Sequence, residues 1–122
     1  MLIDGLLGYS SKGTPRAEIA RLILAAFAGR GGGQRPIVAV DLPSGIDPDT
    51  GVKTSEAPAG AIPAALTVTL ALPKAGLLGE SAKRYVGELV LADIGIPPKA
   101  YARIGVDTSH VFASGDLVRV AT

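Results

Sequence analysis

Apolar residues fall along this chain in short unbroken runs separated by stretches rich in Gly, Pro and Asp, with one longer segment where they recur at helical spacing. The first run, LIDGLLG at residues 2–8, holds an acid and stops on glycine, the pattern of a buried strand that feeds a loop. YSSKGTP at residues 9–15 is polar and closes with Thr14 and Pro15, which suit the N-cap and first turn of a helix. Over residues 16–28, Ile19, Leu22, Ile23 and Ala26 make an apolar stripe, with Arg16, Glu18 and Arg21 mostly opposite, so a one-sided helix is predicted. GRGGGQR at residues 29–35 ends it, its four glycines reading as a connector. PIVAV at residues 36–40 does not alternate, as expected for a strand covered on both faces. Strand, helix and strand make a βαβ unit, and its parallel sheet binds ligands at the carboxyl ends of the strands.

SGIDPDTGVKTSEAPAG at residues 44–60 has the composition of a long ordered loop or lid. AALTVTLAL at residues 64–72 alternates Thr with aliphatics and predicts a strand stopped by Pro73. A short helix is expected over residues 80–85, a strand in GELVLADIG at residues 87–95, and a helical turn from Pro97 and Pro98 to Ala102. The last dozen residues alternate too weakly to fix an element.

At 122 residues the chain suffices for one core and not for two, so residues 1–122 are read as a single α/β domain or part of one. Hydrophobic residues make up 48%, yet only Phe27, Phe112, Tyr9, Tyr85 and Tyr101 are aromatic, so the core must be aliphatic. Twelve basic against eleven acidic residues, with no clustering of Lys and Arg, argue against a nucleic-acid partner. Without cysteine, a metal would have to use oxygen ligands or the single His110. No run approaches the roughly 20 apolar residues of a membrane-spanning helix. Met1 leads directly into Leu-Ile-Asp rather than a basic signal region, so no membrane association and a cytoplasmic location are expected.

Asp4 and Asp41 stand near the ends of two predicted parallel strands, at the ligand-binding edge. A carboxylate there either caps the N–H groups of a tight turn or belongs to a site. Asp93, a third acid at a strand end, shows that the pattern alone does not separate the two. An Asp41 that is partly desolvated and lacks a firm cation partner would have its pKa raised toward a range useful for proton transfer. GYSSKGT at residues 8–14 offers hydroxyls, backbone N–H groups and Lys12 ahead of a helix start, which suits an anion, although the spacing of a Walker loop is missing. Ser44 lies in LPSGI, which lacks the first glycine of a nucleophile elbow, and His110 sits in the weakly patterned tail, so a serine hydrolase is not indicated. DPDTG at residues 47–51 lacks the ligand series of a calcium loop. Lys74 follows a strand end, where it either faces the same edge or is a solvated turn lysine.

LIDGLLGYSSKG, VDLPSGIDPDTG, ALTVTLALPKAGL and GELVLADIGIP, in this order, resemble the NAD(P)H-hydrate epimerase family, the YjeF-type N-terminal domain. The resemblance runs from about Leu2 to about Tyr101. It implies a Rossmann-like three-layer α/β/α sandwich with a mostly parallel sheet. The implied activity is an isomerase of metabolite repair that interconverts the R and S forms of hydrated NADH and NADPH. By motif, Asp4 and Ser44 are implied as ligands of a potassium ion. Gly8, Tyr9, Ser10, Ser11, Lys12, Gly13 and Thr14 are implied to hold the hydrated nucleotide, and Asp41 to contact it and act in catalysis. Family members carry a further segment before the first motif, with a Gly-Asn-Asn-Gly-Gly-Asp-Gly type loop, so the resemblance is to the carboxyl-terminal half of the domain. A sheet begun in its middle exposes an apolar edge and an uncovered face, so a homo-oligomer, or completion by a missing N-terminal segment, is expected. Because the family includes scaffolding members, a non-catalytic nucleotide-binding or self-associating module is the alternative.

Overall fold

The computed structural model describes residues 1–28 and 35–122; all but the last residue of the expected glycine connector lies outside them. The elements run β1 (Leu2–Asp4), α1 (Ala17–Ala28), β2 (Ile37–Val40), β3 (Leu66–Leu70), a 3-10 turn (Ala75–Leu78), α2 (Lys83–Val86), β4 (Glu88–Ala92), α3 (Pro98–Ala102) and β5 (Leu117–Arg119). They form one sheet ordered β1-β2-β3-β4-β5, with the first four strands parallel and β5 antiparallel to β4. The α/β class and the mostly parallel sheet agree with the sequence reading.

The strand order follows the sequence without reversing. Since crossovers between parallel strands are right-handed, successive connections that all step the same way pass over the same face. The register shows the result. Leu2, Ile37 and Leu89 lie on one face. There Ile37 packs with Ile23 of α1 and with Ile62, while Leu89 packs with Leu42, Ile46, Leu77, Ala82 and Val86. Ile3, Val38, Val40, Leu66, Val68 and Val90 lie on the other face, where Ile3 is 68% and Val40 39% exposed.

β2 is therefore not covered on both faces as its unalternating run suggested; burial alternates along it because, among the described residues, cover lies on one side. Leu22, expected in the buried stripe of α1, is 51% exposed; Ile23 is the one fully buried residue of that helix. Of the helix expected over residues 80–85, only residues 83–85 are helical, as part of α2, and residues 80–82 form a turn ahead of it. The tail's weak alternation is an edge strand, whose Arg119 pairs with Glu88 at 2.6 Å while Val120 packs on the core. Among the described residues no helix is long and apolar enough to cross a membrane.

Candidate functional site

β1 ends on Asp4, which is 4% exposed, and its carboxylate is engaged by the corner that follows β2. Oδ2 accepts the Ser44 backbone N–H at 2.7 Å, and Oδ1 accepts the Ser44 hydroxyl at 2.6 Å. Ser44 Oγ accepts the Leu7 N–H at 3.0 Å. A hydroxyl suits this position because it donates to a carboxylate and accepts from an N–H at once. The corner needs glycine next: Gly45 has φ +94°, and a Cβ there would come within 2.1 Å of the Gly60 carbonyl oxygen.

Asp41, one residue beyond β2, adopts φ +73°, a left-handed conformation that Asp tolerates better than most residues. Its N–H still bonds the Val68 carbonyl at 2.8 Å, so the ladder continues while the chain turns. Oδ2 accepts the Tyr9 N–H at 3.2 Å, and Oδ1 accepts Lys74 Nζ at 2.5 Å. Lys74 Nζ also donates to the Leu70 carbonyl at the end of β3, at 2.8 Å. The side chains of Lys74 and Asp41 are 12% and 15% exposed. Lys74 thus faces the edge and is no solvated turn residue. An Asp41 without a firm cation partner is not what the structure holds, because β2 and β3 are parallel neighbours and their ends deliver both charges together. From the sequence, its place just past a strand end left both readings of Lys74 open and gave it no role; the pairing with Asp41 decides for the edge.

The loop after β1 supplies the rest. Ser11 N–H closes back on the Gly8 carbonyl at 3.0 Å, while Tyr9 and Ser10 are exposed. Thr14 does not cap α1: its hydroxyl donates to the Thr54 carbonyl at 3.1 Å, tying this loop to the one after β2. Lys12 pairs with Asp49 at 3.2 Å, with Nζ 5.7 Å from the centre of the Tyr9 ring. The hydrogen bond and charge of Asp49 hold its pKa above the usual lysine value. Asp47 accepts the N–H groups of Asp49 and Thr50 at 2.9 Å each, which holds its carboxyl below the ordinary range. A cavity of about 410 Å³ opens here, walled by Tyr9, Asp49, Lys74 and the chain between Leu70 and Ala75. Asp93 stays outside, capping its own turn through the Gly95 N–H at 2.8 Å, and His110 is exposed in the tail. Among the described residues no three His, Cys, Asp or Glu side chains are grouped to hold a metal.

Residues 1–76 match the family model of the YjeF-related protein N-terminus. An NAD(P)H-hydrate epimerase from Dehalogenimonas lykanthroporepellens is 40% identical over 121 residues, covering 98% of this chain and 44% of that protein. A bifunctional NAD(P)H-hydrate repair enzyme Nnr from Pyrobaculum aerophilum is 44% identical over 108 residues, covering 86% of this chain and 19% of that one. The chain therefore spans less than half the length of these curated relatives. The crystal structure of yeast YNL200c matches with a TM-score of 0.71 at 20% identity, over 97% of this chain and 45% of that one, which shows a shared fold. With homologues at about 40% identity over most of its length that are NAD(P)H-hydrate epimerase domains, the chain belongs to the YjeF N-terminal, NAD(P)H-hydrate epimerase family.

Proposed function

We propose that this chain carries the substrate-holding edge of an NAD(P)H-hydrate epimerase, with hydrated NADH or NADPH as substrate and Asp41 as the group that handles the proton. The observation that carries the reading is the placement of Asp41. Its left-handed backbone sets the carboxylate at the carboxyl edge of the sheet, beside a cavity whose wall includes both of its partners, Tyr9 and Lys74.

Epimerisation at the hydrated ring carbon needs no oxidant. The hydroxyl takes a proton from Asp41 and leaves as water with the C–O electron pair, while the ring nitrogen, already bonded to that carbon, gives its lone pair to a second bond with it. Water then returns to the other face and gives the proton back. Asp41 passes that proton, and the loop Gly8, Tyr9, Ser10, Ser11, Lys12, Gly13 and Thr14 holds the nucleotide so that the ring lies within its reach. Lys12, exposed and paired only with exposed Asp49, is free to exchange that partner for a phosphate.

Asp4 and Ser44 present oxygen donors only, so they fit a potassium ion in kind. Bound there, the cation would add positive charge at the edge that receives the nucleotide. The clasp between the two residues is complete through its own hydrogen bonds.

The test is to give the purified chain R-hydrated NADH and follow appearance of the S form by chromatography. Asp41→Asn is expected to lower that rate by roughly 100-fold or more with an unchanged circular dichroism spectrum. A folded, fully active Asp41→Asn chain would remove Asp41 from the role, and a wild-type chain that leaves the R and S forms untouched would end the epimerase reading. The open apolar sheet face favours a second reading, a module that acts by self-association, which inactivity together with assembly would select.

A further inference from the structure

We propose that Lys74 is a positioning residue for Asp41: its ammonium group fixes one carboxylate oxygen, so that the other is presented at the edge. This rests on the epimerase reading and adds a residue outside the set implied for the nucleotide and the cation. An Asp in a tight turn ordinarily bonds backbone N–H groups close by in sequence. Asp41 is instead held from two other segments, by the Tyr9 N–H on Oδ2 and by Lys74 on Oδ1. The Leu70 N–H, 3.5 Å from Oδ1, is at the limit of a hydrogen bond and gives little hold.

The support is itself fixed. Lys74 Nζ has a second acceptor in the Leu70 carbonyl, so two of its three donors have set directions. Its loop is locked from below: the Gly76 N–H donates to the Pro48 carbonyl at 2.8 Å, and the two glycines Gly51 and Gly76 touch so closely that a Cβ on Gly76 would stand 2.5 Å from the Gly51 nitrogen. Lys12 at the same edge is the contrast. Its side chain is 62% exposed and its one acidic partner 57%, a pair that water and salt can separate. The two lysines divide the work: Lys12 is free to turn to the ligand, and Lys74 stays on Asp41. Without the Lys74 ammonium, a carboxylate only 15% exposed has no charged partner and turns toward water. The Tyr9 N–H then loses its acceptor, and the proton-handling oxygen loses its position.

The experiment uses the full chain with Lys74→Met, Lys74→Arg and Lys74→Ala. In the 15N-labelled protein the Tyr9 amide proton is expected to move upfield in Lys74→Met and to stay near its wild-type shift in Lys74→Arg. In turnover of hydrated NADH, Lys74→Met should lose roughly 100-fold in kcat with KM little changed, the size of effect that misplacement of a catalytic group produces. Methylamine should restore kcat to Lys74→Ala saturably, while ethanol should not. If Lys74→Met fails to fold, Lys74→Gln, polar and uncharged, gives the same reading. A Tyr9 amide unchanged by loss of the ammonium overturns the positioning role whatever the rate. A changed amide with wild-type kcat overturns its link to catalysis. A wild-type chain without turnover ends the epimerase reading, while the Tyr9 amide still decides whether Lys74 holds Asp41.

Discussion

Ser44 is fully buried and its hydroxyl is spent twice, donating to Asp4 and accepting from the Leu7 N–H. Ser44→Ala would leave the Asp4 carboxylate one bond short and the Leu7 N–H without its acceptor. Losses of this kind cost about 1–3 kcal/mol each. In urea unfolding the midpoint should fall while the slope stays the same, because the surface exposed on unfolding is unchanged. If Asp4 and Ser44 also ligate potassium, the wild-type chain should melt higher in potassium chloride than in tetramethylammonium chloride at equal ionic strength, and Ser44→Ala should lose that difference. Equal melting in the two salts would count against the cation. Asp4 and Asp41 were legible in the sequence because each stands near the end of a predicted strand, whereas Ser44 was named only through the family resemblance. The pairing of Lys74 with Asp41 was not legible, since the two are 33 residues apart and only the pairing of β2 with β3 brings the charges together.

The loop after β2 holds the site at the scale of an element. Its composition reads as loop, and it is one, with a single bridge between Ile46 and Lys53. Ile46 is nonetheless a core residue, packed with Leu42 and Leu77, a placement that no periodicity in so irregular a segment announces. The loop is fastened at Gly51, which has φ +72° and would bring a Cβ within 2.2 Å of the Gly76 carbonyl oxygen. Gly51→Ala thus adds a backbone clash to the strain of a left-handed residue, each on the order of 1–3 kcal/mol. Gly13→Ala has the same φ of +72° with nothing within 4 Å, so it carries the strain alone. Thermal unfolding should rank Gly51→Ala well below Gly13→Ala, and equal melting temperatures would mean that the loop is not locked there. Asp47 adds a pH dependence. The N–H groups of Thr50 and Asp49 favour its ionised form, so its folded pKa lies below the ordinary 3.8. The stability it contributes is therefore complete above that value and is lost as pH falls through the lower folded pKa. Asp47→Asn cannot ionise, so the gap in urea midpoint between wild type and Asp47→Asn should shrink on acidification across that window.

At the scale of the whole molecule, one feature of topology governs what the sheet exposes. The runs at residues 2–8, 36–40, 64–72 and 87–95 were legible as strands because apolar and β-branched residues crowd them between turn residues. Their spatial order was not, because strand order depends on which connections cross where. In the order observed, the connections step one way and, among the described residues, both buried apolar clusters lie on one face. The other face offers Ile3, Val38, Val40, Leu66 and Val68 in register across three strands. A contiguous apolar sheet face in water is a drive to association, and a second copy of the chain carries the same surface, so a twofold contact of face on face covers both at once. Sedimentation velocity of the purified chain should show a dimer or larger species that dissociates on dilution. Ile3→Ser should shift the distribution toward monomer while changing the stability of the folded unit little, because Ile3 is 68% exposed. A wild-type chain that sediments as a monomer at every concentration would show that this face does not bind its own copy.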